Sequence, residues 1–234
     1  MMKYKKIVIC AMLLGCAGLC SCSLFRSHPQ ESVEQNPLWE YFPIQPGALY
    51  TYQVNMDNQN VERILKWQGT ENKGGSTVYF FTDGKGFTKA YEFTPEAVLL
   101  KGISLMDESQ PLYYKGENPC LKLPLRIGNE WTIDATVKTQ TTTIHQTGWA
   151  RIVRMEKCEV KAGIFDSVKL LFNVTSDYHV ASTDEKSLVT AQFVLWYGKD
   201  VGLLKQQGSA FLEKENRVLN LYQELIKYEK GKTP

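Results

Sequence analysis

Proton transfer, nucleophilic attack and metal binding draw mostly on histidine, cysteine and paired carboxylates. This chain has few of them. Three of its 234 residues are histidines, His28, His145 and His179. His28 lies in a polar stretch near the N-terminus. His145 lies within the threonine-rich run 139–147, which reads as a solvated edge hairpin. His179 follows Asp177-Tyr178 and reads as a surface residue beside a turn. The sequence holds no Gly-x-Ser-x-Gly elbow and no His-Glu-x-x-His pair. Gly84-Lys85-Gly86 lacks the spacing of a phosphate loop and reads as a hairpin tip. Asp107 and Glu108 sit side by side in a polar turn, whereas the carboxylates of a glycosidase come from distant parts of the chain. The expectation is a protein without catalytic residues, without cofactor and without a metal centre. Six cysteines remain, and four of them, Cys10, Cys16, Cys20 and Cys22, fall within the first 22 residues. Cys120 and Cys158 are an even pair that can bridge in an oxidising compartment, closing a loop worth about 4 kcal/mol in the chain-entropy model. The alternative is two buried reduced thiols packing as small hydrophobes.

The elements that hold these residues have a period of two. Residues 49–56, 61–67, 77–81 and 87–93 alternate and are rich in β-formers. Asp83-Gly84-Lys85-Gly86 joins the last two as a hairpin. Short strands follow at 97–101 and 103–106, then longer ones at 130–138, 144–153, 167–174, 189–197 and 203–212. Segment 217–228 suits a helix through Leu219, Tyr222, Leu225 and Ile226. It suits a strand through Val218, Asn220, Tyr222, Glu224 and Ile226, and the strand is the expectation, paired as a hairpin with 203–212. Turn signals every eight to twelve residues point to a sandwich or barrel-like sheet.

One internal echo is present. Residues 42–52 align without gaps on 123–133: an apolar-Pro-apolar start, then Gly47 or Gly128, then an aromatic-Thr-apolar strand. Each glycine is expected at positive φ, just before a strand. The echo is either a strand-opening turn used twice or a duplicated half with a shared groove. Trp67, Trp131, Trp149 and Trp196, with the tyrosines, make the strands aromatic-rich; they are core packing or a stacking and lipid-receiving surface.

The N-terminus carries the most specific pattern. Lys3, Lys5 and Lys6 precede an apolar run at 7–19, too short to cross a bilayer as a helix, which is the pattern of a secretory signal peptide. Leu19-Cys20-Ser21-Cys22 resembles the lipobox of bacterial lipoproteins, with Cys20 in an unusual place; Leu13-Leu14-Gly15-Cys16 is the alternative. The resemblance implies a diacylglycerol on the Cys22 thiol, further acylation (palmitate among the acyl chains), and a membrane anchor that two or three chains make effectively irreversible. Ser23, in place of the Asp that retains enteric lipoproteins at the inner membrane, points to the outer membrane, facing the periplasm, in a Gram-negative source. Without the three signal lysines the chain carries 24 basic and 25 acidic residues, a balance that offers no broad footprint for nucleic acid.

The expected organisation is a signal peptide at 1–21, a lipidated flexible tether at 22–37, and one mostly β antiparallel domain at 38–230, a curved sheet, half-barrel or sandwich. Val160-Lys-Ala-Gly-Ile-Phe-Asp-Ser-Val168, Trp196-Tyr-Gly-Lys-Asp-Val-Gly-Leu-Leu-Lys205 and the paired strand starts resemble bacterial envelope β domains with curved sheets. That resemblance implies architecture and no chemistry. The expected function is a non-catalytic, lipid-anchored envelope protein of structural or assembly type with an envelope protein partner. The alternative is a carrier of a lipid or other hydrophobic ligand, and less favoured is an unrecognised hydrolase.

Overall fold

The computed structural model describes residues 37–57, 59–104 and 111–231. The signal peptide, Cys22 and all but the last residue of the tether lie outside them, as do Asp107 and Glu108. The described residues form one antiparallel sheet of 14 strands, nearly closed into a barrel. A single helical turn, α1 (Pro37–Tyr41), precedes the sheet and buries Leu38 completely.

Two meanders build the wall. The first runs through β1 (Leu49–Met56), β2 (Gln59–Lys73), β3 (Ser76–Thr82), β4 (Thr88–Phe93) and β5 (Ala97–Ile103). Three short strands follow: β6 (Leu112–Tyr113), β7 (Lys115–Glu117) and β8 (Pro119–Lys122). The second meander is β9 (Glu130–Lys138), β10 (Thr142–Val160), β11 (Gly163–Val180), β12 (Glu185–Gly198), β13 (Gly202–Leu212) and β14 (Arg217–Glu229). β14 lies between β13 and β1, which joins the meanders on one side. On the other side, β6 and β8 pair with β5 while β7, between them in sequence, pairs with β9. Residues 112–122 therefore lace the two free edges together, hiding edge groups that would otherwise invite foreign strands.

Alternation decides each wall. In β9, Trp131, Ile133, Ala135 and Val137 are buried while Glu130, Thr132 and Asp134 alternate with them. In β14, Leu219, Leu221, Gln223 and Leu225 face inward. Segment 217–228 is thus a strand, turning from β13 through Asn216 in the left-handed region (φ 45°). At the β3–β4 turn, Asp83 accepts from the backbone N–H groups of Lys85 and Phe87 at 2.8 and 3.0 Å.

Two expectations need correction, and one group of strands is new. Residues 97–103 form one strand through Gly102, and 105–106 lie outside the described residues. The run 139–147 is not an edge, because β10 pairs with β9 on one side and β11 on the other. The strands β6–β8 escape sequence detection because they hold two to four residues each and have no measurable period.

The internal echo is a shared turn. Ala48 N–H donates to Gln45 O at 3.0 Å, and Asn129 N–H donates to Arg126 O at 3.1 Å, at matching places in the two copies. Gly47 and Gly128 both have positive φ, 77° and 89°. β1 and β9 start at the next matching pair, Leu49 and Glu130. Gly128→Val is expected to cost about 1–3 kcal/mol through backbone strain alone, since nothing lies within 4 Å of the place a Cβ would take. Chemical denaturation of this variant and of Gly47→Val should show similar losses; an unchanged midpoint for both would refute the shared-turn account.

Candidate functional site

A sheet of this many strands encloses more space than its side chains fill, because about eight strands already suffice to pack a barrel interior. Small inward residues, among them Ala191, widen it further. The result is a cavity of about 230 Å³ between the two meanders. Its wall is aromatic and aliphatic: Tyr52, Phe81, Tyr91, Phe172, Phe193 and Tyr197 are representative. Phe42 and Pro43, just after α1, add to the lining. Phe42 stacks among Tyr91, Phe93, Phe81 and Tyr197 with centroid distances of 4.8 to 6.4 Å. The tip of the long β10–β11 hairpin folds back onto β14, where Ala162 N–H donates to Leu225 O at 3.2 Å.

Polar groups reach the cavity at a few points. Asn118 Nδ2 donates to Gln146 Oε1 at 3.3 Å, and Gln146 Nε2 donates to Ser176 Oγ at 3.2 Å. This chain crosses from the lacing segment to β10 and β11. Tyr52 OH donates to Leu203 O at 2.8 Å. Gln223 and Arg63 are buried on the wall at 8% and 7% exposure. Lys89 lies beside them with part of its surface open to the cavity. Burial, reinforced by the charge of Arg63, lowers the Lys89 pKa against an opposing influence of Cys120. Burial pushes the Cys120 thiol up to about 11, and it raises the hydroxyls of Tyr52, Tyr91, Tyr114, Tyr178 and Tyr197. The Cys120 thiol and the tyrosine hydroxyls are protonated at neutral pH, so they bind as neutral donors and acceptors.

Sequence reasoning did not single out Lys89, Arg63 or Gln223. The signal was present in β4 and β14. Phe87, Lys89, Tyr91 and Phe93 alternate, so Lys89 shares the face of three aromatics. Gln223 sits likewise among Leu219, Leu221 and Leu225.

The residues with chemical potential are placed elsewhere. His145 Nε2 is 2.9 Å from Asp134 Oδ1, and His179 Nε2 is 2.8 Å from Asp184 Oδ1, both on the exposed outer face. Neither lines the cavity. The described residues contain no cluster of three metal-ligating side chains. The expected Cys120–Cys158 bridge is not formed; both thiols are free. Cys120 lines the cavity from β8, while Cys158 packs near the hairpin tip with Val160, Trp196 and Leu204, in a different core cluster. The four tryptophans named from the sequence do not line the cavity either. Trp131 is core, Trp67 stacks with Tyr79 and Phe81, Trp149 lies by Arg151, and Trp196 donates to Glu156 at 2.9 Å. Tyrosine and phenylalanine line the interior instead.

No protein-family model matches the chain, and no curated protein does. Two solved structures resemble it, each over 81% of this chain and 98% of its own. One, from Parabacteroides distasonis ATCC 8503, is named as a candidate lipoprotein, with 15% identity and a TM-score of 0.49. The other, from Bacteroides fragilis NCTC 9343, is named as a candidate exported protein with a YmcC-like fold, with 14% identity and a TM-score of 0.50. At that identity the second likeness speaks for the fold alone.

Proposed function

We propose that this protein is a non-catalytic binder or carrier of a lipid or other hydrophobic ligand, held at the cell envelope by lipid on Cys22. The observation that carries the reading is the 230 Å³ aromatic-lined cavity inside the sheet. A concave, mostly apolar chamber with a few placed polar groups is the usual form of a small-ligand site. The envelope placement is supported by Lys3, Lys5 and Lys6, the apolar run at 7–19 and the lipobox-like Cys22. It is also supported by the similar structure from Bacteroides fragilis, which comes from a protein named for export. A facing-periplasm position on the outer membrane follows from Ser23 for a Gram-negative source.

The structural or assembly role has one observation in its favour. Phe211 and Val218 are directly opposed across β13 and β14, and both are exposed, at 41% and 50%. An exposed apolar pair of this kind suits a protein partner. Native mass spectrometry of protein isolated from the envelope without detergent separates the readings. The expected result is a non-covalent adduct, beyond any acylation at Cys22, that is lost on denaturation. A bare polypeptide that also fails to take up decan-1-ol would overturn the carrier reading.

A further inference from the structure

Among the described residues that line the cavity none is a carboxylate, and Lys89 stands there beside Arg63. Both cations stand against the Phe87 ring, 5.1 and 5.5 Å from its centroid, and Phe87 is 2% exposed. Lys89 decides the argument. No carboxylate of the described residues pairs with its ammonium, and its charged neighbour Arg63 repels it. The Cys120 thiol beside it is protonated and supplies no counterion. An ammonium placed in an apolar wall without a partner costs several kcal/mol. A methionine there would fill the same space at no such cost.

We propose that the counterion arrives with the ligand: the cavity takes an amphiphile with a carboxylate head, and Lys89 pairs with that head. The proposal rests on the carrier reading and names its ligand class. The chain would lie along the wall that includes Phe172, Val174, Phe193 and Leu195. Asn118, Gln146 and Ser176 add neutral hydrogen-bonding capacity on the same lining.

Titration calorimetry of the purified protein with decanoate, decyl phosphate and decan-1-ol tests this, alongside Lys89→Met and Lys89→Arg. Decanoate should bind about ten-fold or more tightly than decanol, the scale of a hydrogen bond to a charged group. Lys89→Met should abolish that preference and leave decanol affinity within about three-fold. Lys89→Arg should keep it. The Lys89→Met protein should melt no lower than the parent, since it exchanges an unpaired cation for an apolar side chain. Equal affinity for decanoate and decanol, or a preference that survives Lys89→Met, overturns the proposal while leaving the carrier reading intact. So does a melting temperature of Lys89→Met more than about five degrees lower, which would make Lys89 a structural residue. Tighter binding of decyl phosphate overturns the carboxylate head in favour of a phosphate. Binding of none of the three probes overturns the carrier reading itself.

Discussion

Trp131→Ala is expected to destabilise the protein by about 3–5 kcal/mol, the range for removing a large buried aromatic. At roughly 2–4 °C per kcal/mol for a chain of this size, the melting temperature should fall by about 10 °C. Trp131 is 5% exposed and packs in the cluster that holds Ile133, Val98, Leu121 and Ile152. Its ring also closes the seam. Trp131 Nε1–H donates to Pro119 O at 3.0 Å, from β9 to the strand that pairs with β5. Alanine would lose the packing and leave a buried carbonyl without its donor. Trp149→Ala is the control, because Trp149 is only partly buried and lies beside Arg151 on the outer face. A thermal melt of Trp131→Ala within a degree of the parent would show that the seam does not depend on this residue.

Local pattern told more about the walls than about their closure. The strands of both meanders follow from alternation, and the matched starts at Gly47 and Gly128 from turn chemistry. Both depend on near neighbours in sequence. The strand β14 was ambiguous because Leu219, Tyr222, Leu225 and Ile226 fit a helical face as well as an extended one. What settles it is non-local: β14 finds β13 on one side and β1, 160 residues away at Asp57–Arg217, on the other. Nothing within residues 217–228 encodes that partner. The lacing strands β6–β8 are stable only because two edges already exist for them to bridge.

The cavity was less legible for the same reason. A period of two identifies inward residues but not how many strands close around them, and that number decides whether the interior is filled or hollow. The tryptophans drew attention as the largest aromatics, yet they lie in the core, at the seam or outside. The lining falls to tyrosines and phenylalanines, and Tyr197 keeps the period-two phase of Val189, Ala191, Phe193 and Leu195 on β12. The pleat therefore sends Trp196 to the other side, against Glu156. The cysteine pair misled through its arithmetic, because an even count says nothing about which thiols meet. Lys89 could be read from its aromatic neighbours at alternate positions, but only once β4 is known to be covered on that face.

Gly208→Val should be more damaging than Gly128→Val, although φ is positive only at Gly128. The reason is space. Around Gly128 there is room for a side chain. At Gly208, a Cβ would overlap the Gln192 carbonyl oxygen and stand 2.6 Å from the Phe193 ring. Gly208 pairs directly with Phe193 across β13 and β12, so the ring occupies the place a side chain would need, an aromatic covering a strand glycine. Neither strand can yield cheaply. β12 is paired with β11 on its far side, and β13 with β14. Any relief must displace Phe193, and with it a wall of the cavity. The cost should reach or exceed the ~3 kcal/mol upper end of ordinary overpacking. Equilibrium denaturation gives the ranking directly, and decanol binding to whatever fraction folds gives the state of the cavity. If Gly208→Val proves milder than Gly128→Val, then Phe193 moves aside freely, and the inner wall is not the fixed surface that the proposed ligand selection requires.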